Sequence, residues 1–441
     1  MSFPRYPKYK ASGVEWLGDV PEHWQAWKLT HALEKIGSGT TPKTDNREYY
    51  DEGTHSWVNT GDLNDGDLLD CEKKITSLAL SDHTTLRTYP VGSVVIAMYG
   101  ATIGKLAILG LEATVNQACC VFAGESKLES KFLFYWLLGF RQQIISLASG
   151  GGQPNVNQDI LRTLRVACPD LPEQTAIAEF LDRETGKIDG LVAEQRRLME
   201  LLKEKRQAVI SHAVTKGLNP QAPMKPSGID WLGDVPAGWK MMRLKHISPF
   251  IAVGIVVNPS TFIAEEGLPF IYGGDIREGV IDSTNSRRIS KESSQANAKT
   301  LLRTGDLLTV RVGAPGVTAV VPPECDGGNC ASVMLVRQGP FNSEWLCYGM
   351  NTPVVRFQVD VVKYGAAQEQ FNISHAVNFW VPCPPRSEQY EIVGFLTRET
   401  GKFDTLTAEA QRAINLLQER RTALISAAVT GQIDVRQHPK N

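Results

Sequence analysis

From Lys187 to Lys216 the apolar positions recur at helical spacing. Ile188, Leu191, Leu198, Leu202, Lys205 and Val209 fall three, four or seven residues apart, with Gln195 and Lys205 as polar interruptions. Charged residues such as Glu194, Arg196, Arg197, Glu200, Lys203 and Glu204 fill the remaining faces. This is the a/d spacing of a coiled-coil seam, and it predicts a long helix. The pattern returns in Phe403, Leu406, Ala410, Leu417 and Leu424. Gly186 and Gly401 stand just before the two stripes. A shorter helix is expected ahead of each, because Ile177, Phe180 and Leu181 are matched by Ile392, Phe395 and Leu396. Elsewhere the pattern changes to short apolar runs bounded by turns. Val94–Met98, closed by Tyr99-Gly100, and Leu307–Val312, closed by Gly313, read as buried strands. Turn signals are dense between such runs, at Gly61-Asp62, Asn64-Asp65-Gly66, Gly150–Gly152, Gly273-Gly274 and Gly327-Gly328.

The two helical stripes belong to a larger repeat. Gly13–Trp24 (GVEWLGDVPEHW) and Gly228–Trp239 (GIDWLGDVPAGW) agree at 8 of 12 positions with an offset of 215. Phe180–Asp189 (FLDRETGKID) and Phe395–Asp404 (FLTRETGKFD) agree at 8 of 10 at the same offset, and Glu204–Thr215 repeats in Glu419–Thr430. The mixed regions align more weakly. WVNTGDL (57–63) matches FIYGGDI (270–276) and Asn116 matches Asn329 at offset 213, while Asn157 and Asn372 return to 215. A half-chain repeat predicts pseudo-two-fold architecture. Neither amphipathic helix can bury its stripe alone, so the two copies are expected to pack antiparallel. A helix of about 28 residues is roughly 40 Å long, close to one turn of B-DNA at about 34–36 Å. The scaffold is repeated and the surface residues have diverged, so the two halves should recognise different things.

Composition adds bounds. At 441 residues the chain should form several domains, and 42% hydrophobic with 21% charged residues is ordinary for a globular protein. The start, MSFPRYPKYK, has no signal-peptide core and no run approaches the length of a membrane span, so a cytoplasmic protein is expected. The formal net charge of −2 argues against nucleic-acid binding over the whole surface but leaves room for a local basic face. Eight cysteines form no CxxC pair with histidine partners and read as reduced, mostly buried thiols. Catalytic signatures are lacking. Gly100–Lys105 (GATIGK) is one residue short of a phosphate-binding loop and is followed by Leu106 instead of a hydroxyl residue. No GxGxxG opens a βαβ unit, no GxSxG occurs, and no His pair has metal-ligand spacing.

The whole layout resembles the specificity subunits of type I restriction–modification systems. The resemblance rests on WLGDVPxxW in both halves, the helical repeats EQ-x5-FLDRETGKID and EQ-x5-FLTRETGKFD, and the ends KEKRQAVISHAVTKG and QERRTALISAAVTGQ. It implies an α+β fold in which two pseudo-two-fold-related, mixed α/β target recognition domains are separated by an antiparallel pair of long coiled-coil helices. The segments would be a Trp-motif segment (1–27), a first recognition domain (28–171), a central helical spacer (172–217) and a repeated Trp-motif linker (218–242). A second recognition domain (243–386), a C-terminal helical spacer (387–434) and a tail (435–441) would follow. Each recognition domain would read one half of a split double-stranded DNA target, and the helices would fix the unread gap. Two methyltransferase subunits would bind and carry S-adenosylmethionine, and restriction subunits would add ATP- and Mg-dependent cleavage. The chain itself would hold no cofactor, no metal and no catalytic residue. A two-fold protein-interaction scaffold, favoured by the near-neutral charge, is the competing reading.

Base readout calls for Arg, Lys, amide and hydroxyl side chains on loops that enter a groove. In the first half these are Thr41, Lys43, Asn59, Thr60, Tyr99, Thr102, Lys105, Asn116, Gln117, Gln153, Asn155 and Asn157. In the second they are Tyr272, Arg287, Arg288, Arg311, Asn329, Ser332, Tyr364, Gln368, Gln370 and Asn372. Arg311 stands where Met98 stands in the first half, and an arginine there suits guanine O6 and N7. Asn116 and Asn329, being paired, are the candidates that also read as scaffold, and Asp62 and Asp275 read as turn caps. Trp16, Trp24, Trp231 and Trp239 suit partner hot spots or docking against the helix ends. Lys203, Arg206, Arg420 and Arg421 suit a partner subunit or the DNA spacer, or an ordinary solvated helix face.

Overall fold

The computed structural model describes residues 3–148, 155–365 and 369–437. The chain divides into two units, Met1–Arg196 with Gln411–Asn441, and Arg197–Ala410. In unit 1 the strands of the two larger sheets are β1 (Leu33–Ser38), β2 (His55–Val58), β3 (Gly66–Leu68), β4 (Lys74–Ile75), β5 (Val94–Ala97), β6 (Leu106–Leu109), β7 (Thr114–Val115) and β8 (Cys119–Glu125). A five-stranded sheet runs β1-β8-β5-β6-β3, and a smaller sheet runs β7-β2-β4. The central strands β5 and β6, Val-Val-Ile-Ala and Leu-Ala-Ile-Leu, are buried along their whole length, because helix α1 (Ser130–Gly139) packs across them. Val58, Leu63, Val95, Leu109 and Val121 form the core on the side of the small sheet. Helix α2 (Leu171–Lys216) follows.

Unit 2 repeats the plan with β9 (Ile251–Val253), β10 (Ile263–Ala264), β11 (Leu268–Ile271), β12 (Arg287–Ile289), β13 (Leu307–Thr309), β14 (Thr318–Val320), β15 (Asn329–Cys330) and β16 (Met334–Val336). Its sheets run β9-β16-β13-β14 and β10-β12-β11-β15. The parallel pairing of β7 with β2 recurs between β15 and β11, with Val115 beside Val58 and Cys330 beside Ile271. Helices α3 (Ser343–Met350), α4 (Pro353–Val362) and α5 (Arg386–Val429) complete this half of the sequence. The fold is the expected mixed α/β arrangement with a repeated long helix. Among the described residues, no helix is long and apolar enough to cross a membrane.

The long helices differ from expectation in two respects. Each is uninterrupted, 46 residues in α2 and 44 in α5, so no shorter helix is set off by Gly186 or Gly401. An isolated helical glycine costs about 1 kcal/mol, which the burial of Ile177, Phe180, Leu181 and Ile188 outweighs. The seam is also displaced. The inward row of α2 passes through Leu181, Thr185, Ile188, Val192, Gln195, Met199, Leu202, Arg206 and Ile210, in steps of three and four. Leu191 and Leu198 precede Val192 and Met199 by one residue, about 100° around the helix, and stand 46% and 43% exposed. Leu406 is turned outward in the same way, while Phe403, Ala410 and Leu424 are buried.

Within unit 1 the early part of α2 lies against the late part of α5. The Trp24 indole donates to Glu173 at 3.1 Å, and its ring lies beside Gly431, just past α5. Further along, Arg421 forks onto Asp189 at 2.9 and 3.2 Å. Moving from Glu173 to Asp189 therefore accompanies moving back from Gly431 to Arg421, which makes the two segments antiparallel. Unit 2 has the counterpart. Trp239 donates to Glu388 at 2.9 Å, Gly217 lies beside the Trp239 ring, and Arg206 approaches Asp404 at 3.5 Å. Leu202→Ala should lower stability in urea unfolding by about 2–3 kcal/mol. Leu198→Ala should leave it within about 0.5 kcal/mol. Equal effects would contradict the displaced seam.

Candidate nucleic-acid interface

In each unit the same set of loops gathers at one edge. These are the segments after β1 and β9, after β2 and β11, after β5 and β13, between β7 and β8 or β15 and β16, and before the short helices Gln158–Thr163 and Ile373–Ala376. Two glycines hold the first of these loops tightly. A Cβ on Gly39 would lie 1.7 Å from the Val115 carbonyl oxygen, and one on Gly254 would lie 2.5 Å from that of Cys330. The loop after the edge strand thus crosses the parallel strand at backbone contact in both copies.

In unit 1 this edge is polar and internally bonded. Thr41 donates to the Gln117 side-chain oxygen at 2.5 Å, Asn116 donates to Asn59 at 3.1 Å, and Asn59 donates to the Trp57 carbonyl at 3.0 Å. Asp62 accepts the Asn59 N–H at 2.7 Å, the cap expected of it. Tyr99 bridges to Asn155 through the backbone, and Asn157 caps the short helix by accepting from Ile160 at 2.9 Å. Thr60 and Thr102 are half-buried, while Lys43, Lys105 and Gln117 are exposed. The structure therefore brings Thr41, Asn59, Asn116 and Gln117 together, with Tyr99 and Asn155 as a second pair. Gln153 and most of the Gly150–Asn155 loop, like Gln368, lie outside the described residues.

In unit 2 the corresponding edge is cationic and aromatic. The Arg287 guanidinium stacks on Tyr272 at 4.3 Å, and Arg288 is its half-buried neighbour on β12. Asp275 accepts the Tyr272 N–H at 2.8 Å, repeating the Asp62 cap. Arg311 donates through Nε to the Phe371 carbonyl at 3.2 Å. The Gln370 and Tyr364 backbones exchange hydrogen bonds of 2.9 Å, Tyr364 is 49% exposed, and Asn372 caps its helix. Ser332 holds a left-handed backbone at φ 60°. Asn329 corrects the expectation of a base reader. It is fully buried, with its amide directed to Ser294 and Asn297 and its oxygen accepting from Cys330 at 2.9 Å. That side chain is occupied in holding the loop.

The aromatic pairs divide. Trp24 and Trp239 are buried and tied to Glu173 and Glu388, so they dock inside their own units and offer no surface to a partner. Trp16 and Trp231 are 38% and 41% exposed, Trp16 against Trp136 and Phe140 and Trp231 against Phe357. Lys203 and Arg420 are exposed, whereas Arg206 and Arg421 are engaged with Asp404 and Asp189. Those ion pairs escaped sequence reading, although all four residues repeat at offset 215. So did the turn carboxylates Asp65, which pairs with Arg141 at 2.5 Å, and Glu278, which approaches Arg206 at 3.5 Å. The first pair lies within the mixed region of unit 1, and the second joins the mixed region of unit 2 to α2. The eight cysteines are free thiols, all buried except the half-buried Cys383. Burial pushes Cys119, Cys168, Cys330 and Cys347 up to about 12, which keeps them protonated.

Residues 21–195 match the family model of the type I restriction modification DNA specificity domain. The specificity subunit of the Escherichia coli type I restriction enzyme EcoBI is 25% identical over 345 residues, covering 75% of this chain and 71% of that protein. The MjaVIII specificity subunit of Methanocaldococcus jannaschii is 20% identical over 429 residues, covering 95% and 94%. Among solved structures, a chain of a type I R-M system superposes with a TM-score of 0.70 at 16% identity, covering 93% of this chain and 98% of that one. The HsdS subunit from Thermoanaerobacter tengcongensis gives 0.52 at 17% identity, covering 94% and 98%. The structural likenesses establish a shared fold.

Asn329→Ala would strip hydrogen bonds from the buried groups around Ser294 and Asn297. It should cost about 1–3 kcal/mol of stability, read by thermal unfolding, and leave ligand preference unchanged. An altered preference at full stability would return Asn329 to the recognition surface.

Proposed function

Because the chain belongs to the specificity subunits of type I restriction–modification systems, we propose that it reads an asymmetric, bipartite DNA target with one recognition domain for each half-site. The observation that carries this reading is the pair of matching loop edges. The strands, the glycines Gly39 and Gly254 and the caps Asp62 and Asp275 are repeated, while the side chains presented are not. An amide-rich edge in unit 1 suits adenine, whose N7 accepts and N6 donates, and an arginine-rich edge in unit 2 suits guanine. With Nε on the Phe371 carbonyl, the two terminal nitrogens of Arg311 form a held fork for O6 and N7 of one guanine. Lys43 and Lys105 in unit 1, and Arg287 in unit 2, suit phosphates or base edges. Asn329, Trp24 and Trp239 drop out of the recognition and partner sets.

The chain does no chemistry in this scheme. Two methyltransferase subunits bind it, carry S-adenosylmethionine and methylate adenine, and restriction subunits supply ATP- and Mg-dependent cleavage. Trp16 and Trp231, exposed at equivalent positions of the repeat, suit two copies of one partner. Lys203 and Arg420 provide exposed charge along the helices. The antiparallel helices fix the gap between half-sites. Partner subunits share the phosphate contacts that dominate affinity, which reconciles DNA reading with a net charge of −2.

Genome-wide adenine-methylation mapping in cells expressing the chain with its methyltransferase partner tests the reading. A split, asymmetric motif is expected, and exchanging residues 243–386 for those of another system should change one half only. Failure to find a motif that depends on this chain would favour the protein-scaffold reading. Arg311→Ala should weaken duplex binding by about 1–3 kcal/mol and relax only the half-site read by unit 2. Loss at the other half-site would contradict the assignment. Removing one heptad from both α2 and α5 should shorten or abolish the tolerated gap without changing half-site bases, and an unchanged gap would refute the spacer role.

A further inference from the structure

The loop after β9 carries two features that packing does not account for. Val256 and Val257 stand 55% and 74% exposed at its tip. Two adjacent β-branched apolar side chains in water contribute nothing to the core. The tip is nevertheless built rigidly. Ile255 donates to Cys330 at 2.8 Å and accepts from Ser332 at 3.2 Å, and Gly254 donates to Val333 at 2.9 Å. Asn258 closes the tip with a left-handed backbone at φ 43°, and Ser332 opposite holds φ 60°. Left-handed backbone in non-glycine residues costs free energy and persists where the surroundings fix it, commonly at ligand-contacting sites. Here two such residues bracket one exposed Val-Val pair.

The tip belongs to the cationic edge of unit 2. Ile255 packs with Phe270, Ile289 and Ala331, and Tyr272 lies against this cluster. Tyr272 carries the stacked Arg287, and β10, downstream of the tip, pairs with Arg288 and Ile289 of β12. An apolar tip on the same edge as Arg287 and Arg288 suits a polyanion with an apolar group exposed in its groove. Duplex DNA presents one such group in the major groove, the thymine C5-methyl. The internal repeat gives a second reason. Gly39 corresponds to Gly254, so the equivalent tip in unit 1 is Thr41-Pro42-Lys43, where Pro42 is buried and Lys43 exposed. The position has diverged from polar to apolar while the glycine beneath it has been kept, as expected of a reader set for a different base.

We infer that Val256 and Val257 form a specificity-determining element that contacts the C5-methyl group of a thymine in the half-site read by unit 2. The inference rests on the DNA-reading function proposed above and adds the identity of one recognised group. The two valines act as an apolar clamp on a methyl group, and the flanking arginines hold the neighbouring backbone or bases. Loss of the methyl should weaken binding about fourfold, the worth of one buried methyl-sized group.

The test uses the full chain with its methyltransferase subunits and duplexes of its mapped motif. Each thymine of the second half-site, on either strand, is replaced in turn by uracil, which lacks the methyl and keeps the pairing. One position is expected to lose about fourfold in affinity with the unaltered chain. Val256→Ser or Val257→Ser, both at exposed positions and so compatible with folding, should abolish that loss. No uracil effect at any position, with specific binding intact, would overturn the inference and leave the DNA-reading function standing. An effect that persists undiminished in both serine variants would place the methyl contact elsewhere and equally overturn it, as would a second half-site without an A·T pair. Absence of sequence-specific binding to the unmodified duplex would instead bring down the proposed function, and the inference with it.

Discussion

The fold depends on a seam that no half of the chain can close alone. Each long helix has an apolar row whose burial requires a second helix, and each unit obtains it from the other copy of the repeat. Unit 1 is completed by Gln411–Asn441, and unit 2 contains the end of α2. Apolar burial supplies the energy of this arrangement. The Asp189–Arg421 and Arg206–Asp404 pairs are half-exposed and worth little each. Their value is in register, because a shift by one helical turn would separate both. In unit 2 the joint beyond the helix end is covalent, running from Gly217 to Trp239. In unit 1 the segments around Tyr6 and Asp434 meet there through noncovalent contacts. The Asp434 backbone N–H donates to the Pro4 carbonyl at 2.8 Å, the Tyr9 hydroxyl donates to the Gly431 carbonyl at 3.0 Å, and Arg436 stacks on Tyr6.

Repetition and divergence fall on different atoms. What is kept between the copies is what the backbone needs. Glycine is required where the first loop crosses a strand at contact distance, and aspartate is required where a turn N–H must be capped. Tryptophan is kept where a helix start offers Glu173 or Glu388 to an indole. What differs is what the backbone does not need. Thr41 becomes Val256, and Met98 becomes Arg311. Asn116 and Asn329 sit between these classes. The same residue at the same place is half-buried and bonded to Asn59 in one copy, and sealed inside a loop in the other.

Much of this was legible in the sequence, for identifiable reasons. Strands such as Val94–Ala97 are fully buried runs of β-branched and small residues, and the long helices announce themselves by period. The error in the seam has an equally plain cause. Leu191 and Val192 are adjacent and both apolar, and so are Leu198 and Met199, so spacing alone admits two stripes one residue apart. The structure chooses the stripe that also buries Thr185 and half-buries Arg206, which a search for leucine would pass over. Gly186 does not mark a helix boundary, because the packing around it outweighs its low helix propensity. Trp16 and Trp24 look alike in sequence and have opposite roles, since burial depends on Glu173, some 149 residues from Trp24. The Val256-Val257 tip gave no signal because apolar residues next to a predicted strand are assumed to point inward.

The charge balance, which argued against nucleic acid, looks different once the partners of each charge are known. Arg141, Arg337, Arg421 and Arg436 are committed to Asp65, Asp306, Asp189 and Asp434, and Arg206 to Glu278 and Asp404. Each such pair is close to neutral from a distance and adds little to the field outside the protein. Among the described residues of the two loop edges, Lys43 and Lys105 in one unit and Arg287, Arg288 and Arg311 in the other stand outside these ion pairs. Such a surface gives weak non-specific attraction and strong dependence on the groups directly opposite. On the proposed function, that is the division expected of a subunit that chooses the site while its partners supply most of the hold on the backbone. A near-zero net charge is then a consequence of specificity being kept apart from affinity.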